Sequence, residues 1–202
     1  MRTFVTNTLL TFGMLLSPAS SAETLLPGFV AVELQNPEYK TYDMIRKKAI
    51  SLIRQAINRP DNGLNAAGVA YGQKIIEKLL VASFAVSINA ASEEVCKKSP
   101  FFTSSTYKNL IFVCGISRNA LRHGKYKDLL MASQLLIHEG AHLVDHEEHN
   151  YSHVKYDECG PTWIELTIMG NDFGHKNIPT MVNRDSYKAQ CGFEYYDDVP
   201  SK

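Results

Sequence analysis

Leu135-Leu136-Ile137-His138-Glu139-Gly140-Ala141-His142-Leu143-Val144 is the stretch on which the reading of this chain turns. It holds the pattern H-E-x-x-H, with uncharged residues at both x positions and apolar flanks. On an α-helix, residues four apart differ by about 40° in direction and about 6 Å in height. His138 and His142 therefore point the same way, close enough to share one metal ion. Glu139 stands about 100° round from His138, badly placed as a ligand but well placed to take a proton from water. Two neutral nitrogens, a base and an open position are the requirements of a hydrolytic zinc site. A histidine pair on a helix is more often a surface or core accident. Here Ile137, Gly140, Ala141 and Leu143 are all small or apolar, and a buried helix carrying two histidines and a glutamate is costly unless something satisfies them. One zinc ion is the expected cofactor.

Outward from that stretch, the N-terminus reads as a secretory signal peptide over residues 1–22. Arg2 is its only charge, Leu9 to Leu16 is largely apolar, and Ser20-Ser21-Ala22 offers small residues at a cleavage point. No later stretch approaches the ~18 consecutive apolar residues of a membrane span. Of the 202 residues, the 23–202 remainder suits a single domain. The whole chain has 21 Lys+Arg and 21 Asp+Glu; without Arg2 the balance is 20 to 21, or −1. Charge therefore points to neither nucleic acid nor an anionic membrane. A monomer acting on a peptide or protein substrate, secreted or periplasmic, is the expectation. Four cysteines in an exported chain imply two disulfides. Cys96–Cys114 and Cys159–Cys191 are the expected pairs, because Cys96 just precedes the loop that leads to Cys114, and the second link holds the tail beside the metal.

Periodicity predicts an amphipathic helix from about Glu38 to Asn58, its Arg46, Lys47, Lys48 and Arg54 forming a solvated face. Pro60-Asp61-Asn62-Gly63 then stops it. A helix follows through Leu80, with Val81 to Ile88 readable as helix or strand. Glu23 to Pro37 and Ser99 to Ser105 read as irregular, Tyr107 to Ile116 as a strand closed by Gly115, and Ser117 to Lys125 as a connector. The motif helix runs from Tyr126 to about His146. Asp157 reads as the N-cap of a second helix ending near Met169. The fold class is α+β, a mainly helical domain with a small sheet.

The third ligand is open. His146 stands about 12 Å along the helix from His138 and fails on height. Glu148 replaces histidine in the longer H-E-x-x-H-x-x-G-x-x-H pattern, which leaves His149 and His153 as loop candidates. Glu158, in the first turn of the second helix, is the favoured ligand. Glu165, two turns on, is either a ligand or a buttress for a ligand histidine. Asp157 is the remaining carboxylate.

The motif and its apolar frame resemble the zincin metallopeptidases. More narrowly, Val113-Cys114-Gly115, a connector, then Leu135-Leu-Ile-His138-Glu-Gly-Ala-His142 is similar in order to the aspzincins, such as deuterolysin and the peptidyl-Lys endopeptidases. Asn183-Arg-Asp-Ser-Tyr187 resembles their N-A-D-S-Y segment. Their G-T-x-D-x-x-Y-G motif is missing. The nearest counterpart, Lys155-Tyr-Asp157-Glu158-Cys-Gly-Pro-Thr162, sets Glu158 where that family has aspartate. The likeness covers roughly the C-terminal half. It implies zinc-dependent peptide hydrolysis on His138, His142 and Glu158, with Glu139 as general base. A second transition-state donor is then expected, Tyr187 or a loop histidine, the alternative for Tyr187 being a core tyrosine. An amide hydrolase acting on cell-wall material and a non-catalytic metal-binding secreted protein are the rival readings.

Overall fold

Asn36 and Pro37 begin the first long helix, and the chemistry of both is local. Asn36 caps it, Oδ1 accepting from the Glu38 N–H at 2.9 Å, and Pro37 stands at the first helical position, where no N–H is needed. Pro37 thus starts an element that the sequence placed after a breaker. The structure, a computed structural model, describes residues 25–59, 64, 66–96, 99–122 and 126–148, with positions 161, 162, 164, 165, 167 and 168. Its elements are β1 (Phe29–Ala31), α1 (Pro37–Ile57), α2 (Ala66–Val81), β2 (Ser83–Ser87), α3 (Ala90–Cys96), β3 (Phe101–Phe102), β4 (Leu110–Val113), α4 (Gly115–Arg122) and α5 (Tyr126–Glu148). The six later described positions are all helical. The fold is α+β and mostly helical, with one small mixed sheet.

The sheet runs β1-β2-β4-β3, with β2 and β4 parallel and both outer pairs antiparallel. Side chains alternate across it as strand geometry requires. Phe84, Val86, Ile111, Val113 and Phe101 join the main core with α1, α2 and α5. Phe29, Ala85 and Phe112 face the other way, into a smaller cluster closed by the Cys96–Cys114 disulfide. There Phe112 stacks on Phe102 at 4.6 Å and meets Phe29 edge-on at 4.9 Å. Both faces of the sheet are therefore covered, which explains the apolar runs at β2 and β4. In the main core, Ile45, Ile53, Ile75, Leu79, Leu136 and Ile137 are almost completely enclosed.

Several segments differ from the sequence reading. Residues 29–31 and 101–102 are strands, not loop: among the described residues each pairs with one strand only, and both are too short to carry a strand signature. Strand β4 is shorter than read, and Gly115 opens α4 where a stop was expected. An added Cβ there would meet Glu93 Oε1, which accepts from the Gly115 N–H at 3.2 Å. Residues 117–122 belong to α4, and α5 continues to Glu148. Arg46 is not solvated: its guanidinium reaches the Ala82 carbonyl at 3.0 Å and Tyr39 Oη at 3.1 Å, and pairs with Asp43. Val81 ends α2, and residues 83–87 are strand. The expected Cys96–Cys114 pair is present, with Cα atoms 5.9 Å apart. Among the described residues no helix is long and apolar enough to cross a membrane. The expected signal peptide, the second cysteine pair, Asp157, Glu158, His149, His153 and Tyr187 lie outside the described residues.

Candidate metal centre

The H-E-x-x-H stretch lies in the middle of α5, which packs against both α1 and α2. Its core side, Leu136, Ile137, Ala141 and Val144, is buried. Gly140 is small for a packing reason: a Cβ there would stand 2.9 Å from Ile75 Cγ2 and 3.0 Å from Leu79 Cδ2, both on α2. Tyr71, also on α2, donates to Asp145 Oδ1 at 2.9 Å and reaches the Ala141 carbonyl at 3.5 Å. The motif is thus seated on α2 from both sides of His142.

His138 and His142 converge. Their Nε2 atoms are 3.1 Å apart and their rings meet edge to face at 4.8 Å. On the far side of His138, Nδ1 lies 2.9 Å from Glu165 Oε2. A carboxylate only accepts, so the neutral imidazole carries its proton on Nδ1 and its lone pair on Nε2, aimed toward His142. The other oxygen of Glu165 accepts from Gln134 Nε2 at 2.7 Å. Gln134 precedes His138 by one turn on the same helix face, so Glu165 is gripped by two residues of α5. Each of its oxygens has a partner on α5, an arrangement that suits an orienting partner. The sequence reading weighed that role against direct ligation.

A cavity of about 340 Å3 opens beside the pair. Leu135, His138, Glu139, His142, His146 and Glu165 form its helical wall, and residues 99–103 form the other. Glu139 and His142 are only 7% and 6% exposed. His146 continues the face one turn on, its ring 5.8 Å from that of His142 and tilted by 26°. Sequence reasoning excluded it as a ligand and missed its place in the wall. It missed the 99–103 wall as well, where the Pro100 carbonyl accepts from the Cys114 N–H at 3.0 Å and Ser117 Oγ at 2.8 Å. Gln134 was legible in principle, since an amide one turn before a ligand histidine has a ready use.

The pair fits a metal ion. Two nitrogens at about 2.0–2.1 Å from one tetrahedral ion stand roughly 3.3 Å from each other, and these stand 3.1 Å apart, sharing one proton between them. Among the described residues, no group of three or more His, Cys, Asp or Glu side chains is arranged to hold a metal. No family model matches the chain, and no curated protein or solved structure matches it.

Proposed function

We propose that this protein is an exported zinc-dependent peptidase of zincin type, with His138 and His142 as zinc ligands, Glu158 as the third and Glu139 as general base. The observation that carries the reading is the convergence of the two Nε2 atoms at 3.1 Å, with Glu165 holding the opposite nitrogen of His138. Structural sites need no base, yet Glu139 lines the same cavity. When bound there, zinc supplies Lewis acidity, making water acidic near neutral pH and polarising a carbonyl.

The protein's own groups do the rest. Glu139, in a largely enclosed position, takes a proton from water as that water attacks the scissile carbonyl and returns it to the leaving amine. Glu165 keeps His138 in one tautomer and one orientation. Tyr187 is proposed as a second donor to the developing oxyanion. A peptide is favoured as substrate because the wall opposite the histidines includes β3, which among the described residues is an edge strand paired only with β4. An extended chain laid along such an edge gains main-chain hydrogen bonds. The signal-like N-terminus and the Cys96–Cys114 disulfide favour an oxidising compartment.

The test is zinc analysis and peptide hydrolysis on the purified protein and its Glu139→Gln variant. The amide keeps shape and removes the base, so zinc and fold should persist while hydrolysis falls by about 10²–10⁴. Normal turnover by Glu139→Gln would overturn the mechanism.

A further inference from the structure

Around His146 the main cavity adjoins a second, smaller one of about 50 Å3. His146 lines both, and consecutive residues Thr103 and Ser104 line one each. The smaller cavity has a mixed lining: Leu143 and Tyr107 supply apolar surface, and Lys78, Lys108, Asn109 and Glu147 supply polar and charged groups. Lys78 projects from α2 with its side chain only 18% exposed, unusual for an ammonium. It pairs with Glu147 and lies 3.5 Å from Asn109 Oδ1. That leaves one of its three donors beyond those two contacts. Asn109 is the one non-glycine residue with positive φ among those described, at 55°. Its backbone is set by the Ser83 N–H, which donates to its carbonyl at 2.8 Å. Lys78 first, and then Lys108, hold the Glu147 carboxyl below the usual carboxylate range. Lys78 makes the direct contact with Glu147, and Lys108 lines the same cavity without one. Among the described lining residues two cations, Lys78 and Lys108, stand against one anion, Glu147.

Resting on the peptidase reading, we propose that the smaller cavity is a specificity subsite for a carboxylate side chain, so that the preferred substrate carries Glu or Asp within two residues of the cleaved bond. The two cavities share His146, whose ring lies 5.8 Å from that of His142, a span that an extended chain covers in about two residues at about 3.3 Å each. Lys78 binds the incoming carboxylate, Lys108 adds long-range attraction, and exposed Glu147 swings toward solvent. The small volume admits a carboxylate and excludes an aromatic ring.

Binding and cleavage are read separately. Fluorescein-labelled alanine-rich hexapeptides carrying one Glu, Gln, Leu or Lys at successive positions are titrated by anisotropy into the full-length Glu139→Gln protein. They are also digested by the native enzyme. At one position the Glu peptide should bind about tenfold tighter than its Gln twin, as expected for one charge-assisted contact. That ratio should fall toward one in Lys78→Met and drop partway in Lys108→Met, whose site is exposed and carries no risk to folding. Equal binding of the twins, no binding of any peptide, or a ratio unchanged in both lysine variants would overturn the subsite. Selective Glu binding without cleavage by the native enzyme would sustain the subsite and sink the peptidase reading. Equal cleavage of the twins at every position would do the reverse.

Discussion

Glu165 is bound through both carboxylate oxygens to residues of α5, and its removal is informative because it touches neither converging nitrogen. In Glu165→Ala the His138 ring loses the partner that fixes its proton on Nδ1. Zinc affinity should fall about 10–100-fold, the usual cost of deleting such a partner, and a competition titration with a chromophoric chelator would measure it. On the proposed ligand set, Glu158→Ala should cost more, because it would remove a ligand and not a ligand's partner. The reverse ranking would transfer the ligand role to Glu165. At this scale much was legible: the spacing of His138, Glu139 and His142 follows from helix geometry alone. What spacing cannot carry is the partner from elsewhere in the chain. Glu165 was one of three carboxylates on a predicted helix, and only packing shows that it meets Nδ1.

Helix α5 serves two faces at once, and Gly140 shows how tightly. Exchanging Gly140 for Ala gains about 1 kcal/mol of helix propensity. The new Cβ, however, would press on Ile75 and Leu79, both fully buried with no space to retreat. Overpacking of this kind costs about 1–3 kcal/mol, so Gly140→Ala should be less stable by about 1 kcal/mol in urea unfolding. A more stable variant would mean that α2 yields easily. Charge on α1 makes a second prediction. Lys47, hydrogen-bonded to Asp43 at 2.7 Å, together with Arg46 holds the Asp43 carboxyl below its ordinary value of 3.8, against the opposing effect of burial. A depressed folded-state pKa stabilises fully above the unfolded value and loses that contribution as pH falls through the folded one. Asp43→Asn should therefore flatten the stability profile below about pH 4 and leave its slope from pH 6 to 8 unchanged. Long elements with a strong period, α1 and α5, were readable from sequence. Strands of two or three residues were not, because β1 and β3 exist through their partners β2 and β4.

At the scale of the whole molecule, the Cys96–Cys114 bond closes a loop across 18 residues that includes β3 and one side of each cavity. Loop closure of that length is worth about 3 kcal/mol in the chain-entropy model. The Cys96→Ser, Cys114→Ser double variant should lose roughly that much in denaturant unfolding, and its peptide cleavage should fall further than its zinc content. Equal loss of both would show that the wall and the histidines fail together. The main core makes a different demand. Helices α1 and α2 each bury their apolar faces against α5, and about 90 residues separate Ile57 from Glu148. During synthesis at about 5–20 residues per second, Ile45, Ile53, Ile75 and Leu79 wait several seconds for the helix that covers them. The emerging chain is thus a sticky, unfinished polymer for most of its time on the ribosome, open to holding factors and thin enough to thread, until α5 and then Ile164 and Ile168 close over that core.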